Sequence, residues 1–150
     1  VKESPPEAAI STAGVLRRLA GMAYDGLLLL AVLMVAALPV VVIAHGVPHG
    51  TIPHILYQIY LLAIAFLFYA WFWIHGGQTV GMRAWRLQVQ ARDGGPVSWN
   101  MALRRFLTAI PALLCGGLGL WWVWIDHDRL AWHDRLSGTR VVVLPKPVRS

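Results

Sequence analysis

The 150-residue sequence holds one cysteine, Cys115, so no internal disulfide can brace the fold. Set in an apolar run, that thiol reads as a buried, inert small residue. Acidic residues are also scarce, seven against thirteen Lys and Arg, and charged residues of both signs make up only 13% of the chain. The short motifs of hydrolytic and nucleotide chemistry are missing as well. There is no Gly-x-Ser-x-Gly elbow, no phosphate-cradling glycine loop, no zinc-protease His-Glu pair and no nucleophile beside a base. These absences argue against an enzyme, and nothing in the chain calls for a cofactor.

What is abundant is apolar. Hydrophobic residues make up 57% of the chain, eight residues are tryptophan, and the apolar positions fall in blocks rather than being dispersed as for a water-soluble core. The net charge of +6 comes from cations flanking those blocks, where positive charge meets anionic lipid or sets topology. The lipid bilayer is therefore the expected partner, and nucleic acid is not.

The first block, Leu27 to Ala44, carries no charge, and with Leu16 to Gly26 before it forms a helix long enough for a core of about 30 Å. It exceeds a signal-peptide core of about 7 to 15 residues. Pro39 is placed to kink it, and the Gly- and Pro-rich turn from His45 to Gly50 ends it. A second block, Ile55 to Ile74, exits through an interface marked by Tyr69, Trp71 and Trp73. Beyond Gly76 and Gly77 the period changes to two: Trp85, Leu87, Val89 and Ala91 alternate with Arg86, Gln88, Gln90 and Arg92. This predicts a strand closed by the turn Asp93 to Pro96, with Arg140 to Leu144 as its partner.

The third block, Phe106 to Ile125, is interrupted by Pro111, Gly116, Gly117 and Gly119. None of the thirteen cations lies in the 45–54 connection, so the positive-inside rule places the other segments in the cytoplasm and requires an even number of crossings. Two short limbs, Phe106 to Cys115 and Leu118 to Ile125, at about 15 and 12 Å, satisfy this as a re-entrant hairpin broken at Gly116-Gly117. The rival is a single tilted third span with an external tail.

Asp25 is the acidic residue set inside an apolar block. It lies about 10 Å beyond Arg18 on nearly the same helical face, in a stripe with Gly14 and Gly21 that suits close approach of another backbone. A carboxylate at such depth needs a partner, and Arg17, Arg18 or a later cation are candidates, as is protonation. The histidines His45, His49 and His54 lack a carboxylate or thiolate to complete a metal set. Asp126, His127, Asp128, His133 and Asp134 are interleaved with Arg129 and Arg135, which favours salt bridges over a dication, although helical spacing would put His127 and Asp134 on one face. Trp121, Trp122 and Trp124 read as an interfacial belt.

Three groups of residues also carry a resemblance. They are Arg17-Arg18-Leu19 with Asp25, then Gly77-Gln78-Thr79-x-Gly81, then His133-Asp134-Arg135-Leu136-Ser137-Gly138-Thr139-Arg140. In order and spacing they resemble the RDD family of small bacterial membrane proteins, named for one arginine and two aspartates, here Arg18, Asp25 and Asp134. Val80 and Met82 depart from the proline and lysine often found there, with Arg83 adjacent. The resemblance implies architecture first, and transport of some ligand as the proposed activity.

The expectation is an all-α integral membrane protein with two full transmembrane helices, a Gly/Pro-broken re-entrant hairpin or third span, and a small cytoplasmic β/loop cap. It forms one domain over 1–150: a polar N-terminal tail (1–14), helix 1 (15–44), helix 2 (53–74), a cytoplasmic loop (75–100), a broken third hydrophobic segment (101–133) and a cytoplasmic tail (134–150). It would sit in the bacterial inner membrane with both termini cytoplasmic. Arg18, Asp25 and Asp134 form the expected charge network, with Arg17, Gln78, Thr79, Arg83 and Arg135 as secondary candidates and no metal ligands. The network serves either transport, in a homo-oligomer or with a partner because so few spans enclose no pathway alone, or packing in a larger membrane complex.

Overall fold

The computed structural model describes residues 13–115, 117–128 and 130–145. The expected N-terminal tail up to residue 12, Gly116 of the expected break, and Arg129 lie outside the described residues.

Helix α1 runs Val15–Ile43 and continues through Pro39. Helix α2 runs Thr51–Ile74, starting two residues earlier than expected because Pro53 falls in its first turn, where a missing N–H costs nothing. The turn between them places His45 and Gly46 at positive φ. At 1.5 Å per residue the helices span about 43 and 36 Å, and among the described residues they are the two long and apolar enough to cross a bilayer. Their outer faces, including Leu27, Val35, Leu56 and Leu67, are exposed. Such a surface is stable only in an apolar surrounding, since each Å² left in water forgoes about 25 cal/mol.

Beyond α2 the chain makes a short helix α3 (Val80–Ala84) and strand β1 (Leu87–Ala91). Strand β1 pairs antiparallel with β2 (Thr139–Val143), Leu87 opposite Val143 and Ala91 opposite Thr139. The alternation read in the sequence reflects this pairing: Leu87, Val89 and Ala91 are buried while Gln88 and Gln90 are partly exposed. The Ala13 N–H donates to the Val141 carbonyl at 3.1 Å, tying the start of α1 to the ribbon.

Helix α4 (Trp99–Leu114) begins seven residues before the expected limb at Phe106, because Ser98 caps it by accepting from the Met101 N–H at 3.3 Å. It thereby takes in Arg104 and Arg105. The expected second limb is not one helix. After Gly117, in the left-handed region at φ 78°, it is the single turn α5 (Leu118–Trp121) followed by a 3₁₀ turn (Trp122–Trp124). The expected tail from residue 134 contributes the end of α6 (Trp132–Ser137), which packs on α4, and β2, the expected partner of β1, while its end at 146–150 lies outside the described residues. Cys115 is exposed rather than buried, because it caps the end of α4 outside the packed face. His127 and Asp134 do not share a helical face, since α6 begins only at Trp132.

One buried cluster joins Trp73, Leu87, Val89, Val97, Ala102 and Val141, with Phe66, Tyr69 and Phe106 against it. A second joins Val15, Leu120, Val123 and Ala131. Both lie at the ends of α1 and α2 away from their connecting turn, where the charged residues converge.

Candidate functional site: a charge clamp and a carboxylate latch beside one cavity

Asp134 is fully buried at 0% exposure and lies between two buried arginines, Arg18 and Arg105, at 4% and 3%. An Arg18 Nη1 donates to Asp134 Oδ2, and an Arg105 Nη1 donates to Asp134 Oδ1. The same Arg105 nitrogen donates to Thr139 Oγ1 at 2.8 Å, and Arg18 Nε donates to the Ala13 carbonyl at 3.0 Å. Asp134 also accepts from the Ala131 N–H at 3.2 Å, so at the third position of α6 it caps that helix's first turn. Burial alone would raise its pKa, but the charges of Arg105 and Arg18 outweigh that and hold it well below the ordinary carboxylate range. Asp134 is an anion in this clamp.

The surrounding sequence explains itself from this geometry. Ser137 donates to the His133 carbonyl and lies 2.7 Å from the Thr139 hydroxyl, closing α6 onto β2. Gly138, at φ 70°, makes the left-handed helix end that lets the chain turn between them. His133 Nε2 lies 3.6 Å from Asp134 Oδ1. Burial, then the charge of Arg105, pushes its pKa down to about 4, so this imidazole is neutral at pH 7.

The second assembly holds Asp25, 2% exposed. Thr79 donates its hydroxyl to Asp25 Oδ2, and the Gly81 N–H donates to Asp25 Oδ1 at 2.8 Å. The Thr79 hydroxyl also accepts from the Met82 N–H at 3.2 Å, capping α3, and Gln78 Nε2 donates to the Leu87 carbonyl at 2.8 Å. Glycine is required at 81 because a Cβ there would stand 2.3 Å from the Gly21 carbonyl oxygen and 2.9 Å from Asp25 Oδ1. The motif Gly77 to Gly81 thus latches the chain leaving α2 onto the buried stripe of α1.

That stripe is Val15, Arg18, Gly21 and Asp25; Gly14, expected in it, is exposed. Of the alternatives for Asp25, a cationic partner or protonation, the first is not what the described residues provide. A hydroxyl and a backbone amide supply its donors, while Arg18 turns to Asp134, 116 residues away. The reason is reach: the Thr79–Gly81 backbone docks directly over Asp25, whereas α6, packed on α4, extends the Asp134 carboxylate to the Arg18 guanidinium.

Of the secondary candidates, Gln78 and Thr79 are in the latch, whereas Arg17 and Arg83 are exposed and outside both assemblies. Arg135 is an exposed partner of Asp126 and Asp128 at 2.9 and 3.3 Å. Among the described residues no cluster of His, Cys, Asp and Glu is arranged to hold a metal ion. The residue that sequence reasoning missed is Arg105, counted only as a flanking cation. Its signal was helical: Ala102, Arg105 and Ala112 fall on one face of α4, all three buried, so the arginine stands in a stripe of small residues.

Between clamp and latch lies a cavity of about 130 Å³. Arg18, Asp25, Tyr69, Trp73, Arg105 and His133 line it, and its remaining wall is apolar, including Met22, Leu87, Phe106 and Leu120. Among the described residues, three buried polar groups on its lining residues have no hydrogen-bond partner: Trp73 Nε1, Arg105 Nε and His133 Nδ1. The Arg105 guanidinium also stacks over the Trp73 ring, 5.2 Å from its centroid.

A family model described as the RDD family matches residues 12–138, a stretch that contains Arg18, Asp25, Thr79, Arg105 and Asp134, and the chain belongs to that family. No curated protein and no solved structure matches it.

Proposed function

We propose that this RDD-family protein is a transport component that carries an ion or small ligand across the bacterial inner membrane, with the cavity as its binding station and Asp25 as its ionisable group. The observation that carries this reading is the cavity itself, a partly open, mostly apolar space whose lining residues include a carboxylate, two arginines and a neutral histidine. Ionisable groups at the end of membrane helices commonly mark a pathway.

The clamp supports a topology. Arg18, Arg105 and Asp134 meet at one point, which supports a path in which residues 106–133 leave and return on the same side of the bilayer. In this reading α1 and α2 cross, α4 and α5 form a re-entrant or interfacial excursion, and the β1–β2 ribbon is a cytoplasmic cap beside cytoplasmic termini. Two crossings enclose no pathway alone, so the working unit is a homo-oligomer or a complex with a partner. The role is carriage and not catalysis.

The second reading is a structural or assembly subunit, favoured by one observation: both Asp134 oxygens are taken up by arginines from separate segments, as in a packing lock. Reconstitution separates the two. Purified protein in sealed vesicles should show a flux that depends on pH or on an ion gradient, and Asp25→Asn should abolish it while leaving folding and oligomer size intact. Absence of flux in the parent protein, in both gradient directions and with several ions, would leave the structural reading.

A further inference from the structure

We infer that the cavity binds a compact, neutral apolar molecule, about one six-membered ring in size, which enters past uncharged side chains. This deepens the transport reading by choosing a neutral ligand over an ion, and rests on it for purpose, but binding is measurable without transport.

The polar groups around the cavity are committed to the protein. Both Asp25 oxygens accept hydrogen bonds, one from the Thr79 hydroxyl and one from the Gly81 N–H. Arg18 donates to the Ala13 carbonyl and to Asp134, and Arg105 donates to Asp134 and Thr139. Trp73 Nε1, Arg105 Nε and His133 Nδ1 are enclosed by protein and add no polar surface to the space. What faces the cavity is therefore mostly apolar, so an ion entering it would lose its hydration and gain little in return. Water fares little better, because a held water needs about two to four polar partners.

Size sets the guest. At about 130 Å³ the cavity approaches an engineered apolar cavity of roughly 150 Å³ that stays dry and takes up benzene. Left empty, such a space costs its lining the dispersion contacts that a guest would restore. The wall suits a ring. Tyr69, Trp73 and Phe106 are aromatic partners for one, and the flexible thioethers of Met22 and Met82 adapt to its outline.

The way in is apolar as well. The arginines, the aspartate and the histidine of the lining are all buried, whereas Met22, Tyr69, Met82, Phe106, Ala109 and Ile110 are partly exposed. The mouth of this partly open cavity therefore runs past uncharged side chains. Met22 and Tyr69 belong to the two helices long and apolar enough to cross a bilayer, so a molecule dissolved among lipid chains has an apolar path to the site.

The test uses the full chain in lipid nanodiscs, titrated with fluorobenzene and followed by fluorine NMR, with empty nanodiscs measuring plain partition into lipid. The protein should add a saturable component with a Kd of about 0.1 to 1 mM, displaced by toluene. Benzoate and benzylammonium, which carry a ring with a charge of either sign, should displace it at least about tenfold more weakly. Two variants change the space in opposite directions. Ala109→Leu narrows it and should weaken fluorobenzene binding at least about tenfold, whereas Met22→Ala widens it and should let naphthalene bind about tenfold more tightly than to the parent chain. No saturable component, equal displacement by the charged rings, or unchanged affinities in both variants would overturn the inference and leave a collapsed or lipid-filled space. Flux without ring binding would sink this inference alone, and ring binding without flux would sink the transport reading alone.

Discussion

Removing the charge of Asp134 should do more damage than removing any other single charge in the chain. Asp134→Asn is nearly isosteric, so the change leaves Arg18 and Arg105 buried at 4% and 3% exposure, sharing one amide oxygen where two carboxylate oxygens stood. Breaking a buried pair by deleting one partner costs about 3 to 5 kcal/mol, because the remaining charge keeps its desolvation penalty and loses its compensation. Two arginines lose it here. The retained carbonyl still accepts one bond, so the expected loss is about 4 kcal/mol, or roughly 10 °C in Tm for a chain of this size. Chemical unfolding in mild detergent, followed by tryptophan fluorescence, reads the change. A cycle with Arg18→Gln should show a coupling above about 1 kcal/mol, whereas Arg18→Gln with Asp25→Asn should be additive within about 0.5 kcal/mol. Replacing Arg18, Arg105 and Asp134 together by apolar residues of similar volume should recover most of the loss. A loss below about 1 kcal/mol for Asp134→Asn, or coupling of Arg18 to Asp25 and not to Asp134, would refute the clamp.

The latch makes an asymmetric prediction. Gly81→Ala puts a Cβ 2.3 Å from the Gly21 carbonyl oxygen and should cost about 1 to 3 kcal/mol, while Gly21→Ala meets nothing nearer than 3.7 Å and should be tolerated in the same unfolding assay. Thr79→Val removes both the donor to Asp25 and the cap of α3 and should cost about 2 to 3 kcal/mol, with Thr79→Ser recovering most of it. His133 sets a pH dependence. With a folded pKa of about 4 and an unfolded value near 6.5, the unfolded chain takes up the proton first, so the stability it contributes is complete above about pH 6.5 and lost as pH falls towards 4. The loss reaches about 3 kcal/mol, and His133→Gln should flatten the stability profile in that window.

Both membrane helices and the β1–β2 pairing were legible because each is a periodic local signal, one an unbroken apolar run and the other an alternation of period two. Depth and face were legible too: the seven-residue spacing put Arg18 and Asp25 on one buried stripe of α1. Partner choice was not, since Arg18 meets Asp134 across 116 residues and Asp25 meets Thr79 across 54, and helical geometry says nothing about which later segment docks over which turn. Arg105 was hidden for a related reason. Beside Arg104 it looked like a flanking cation, and only the alanines around it on α4 show that it faces inward. The helical limb expected from Phe106 starts earlier, at Trp99, because Ser98 caps α4 before the apolar run begins, and an apolar run marks burial or lipid contact rather than helix ends.

The account stands most directly on the claim that α3 and α6 lie on the same side of the membrane, opposite the α1–α2 turn. Single cysteines at exposed Arg83, Leu136 and Gly50, each on a Cys115→Ser background, can be probed in intact cells with a membrane-impermeant thiol reagent before and after permeabilisation. The account predicts that positions 83 and 136 are protected together and labelled only after permeabilisation, while position 50 is labelled at once. Labelling of positions 83 and 136 from opposite sides would contradict it, because the clamp joining Arg18, Arg105 and Asp134 could not then form.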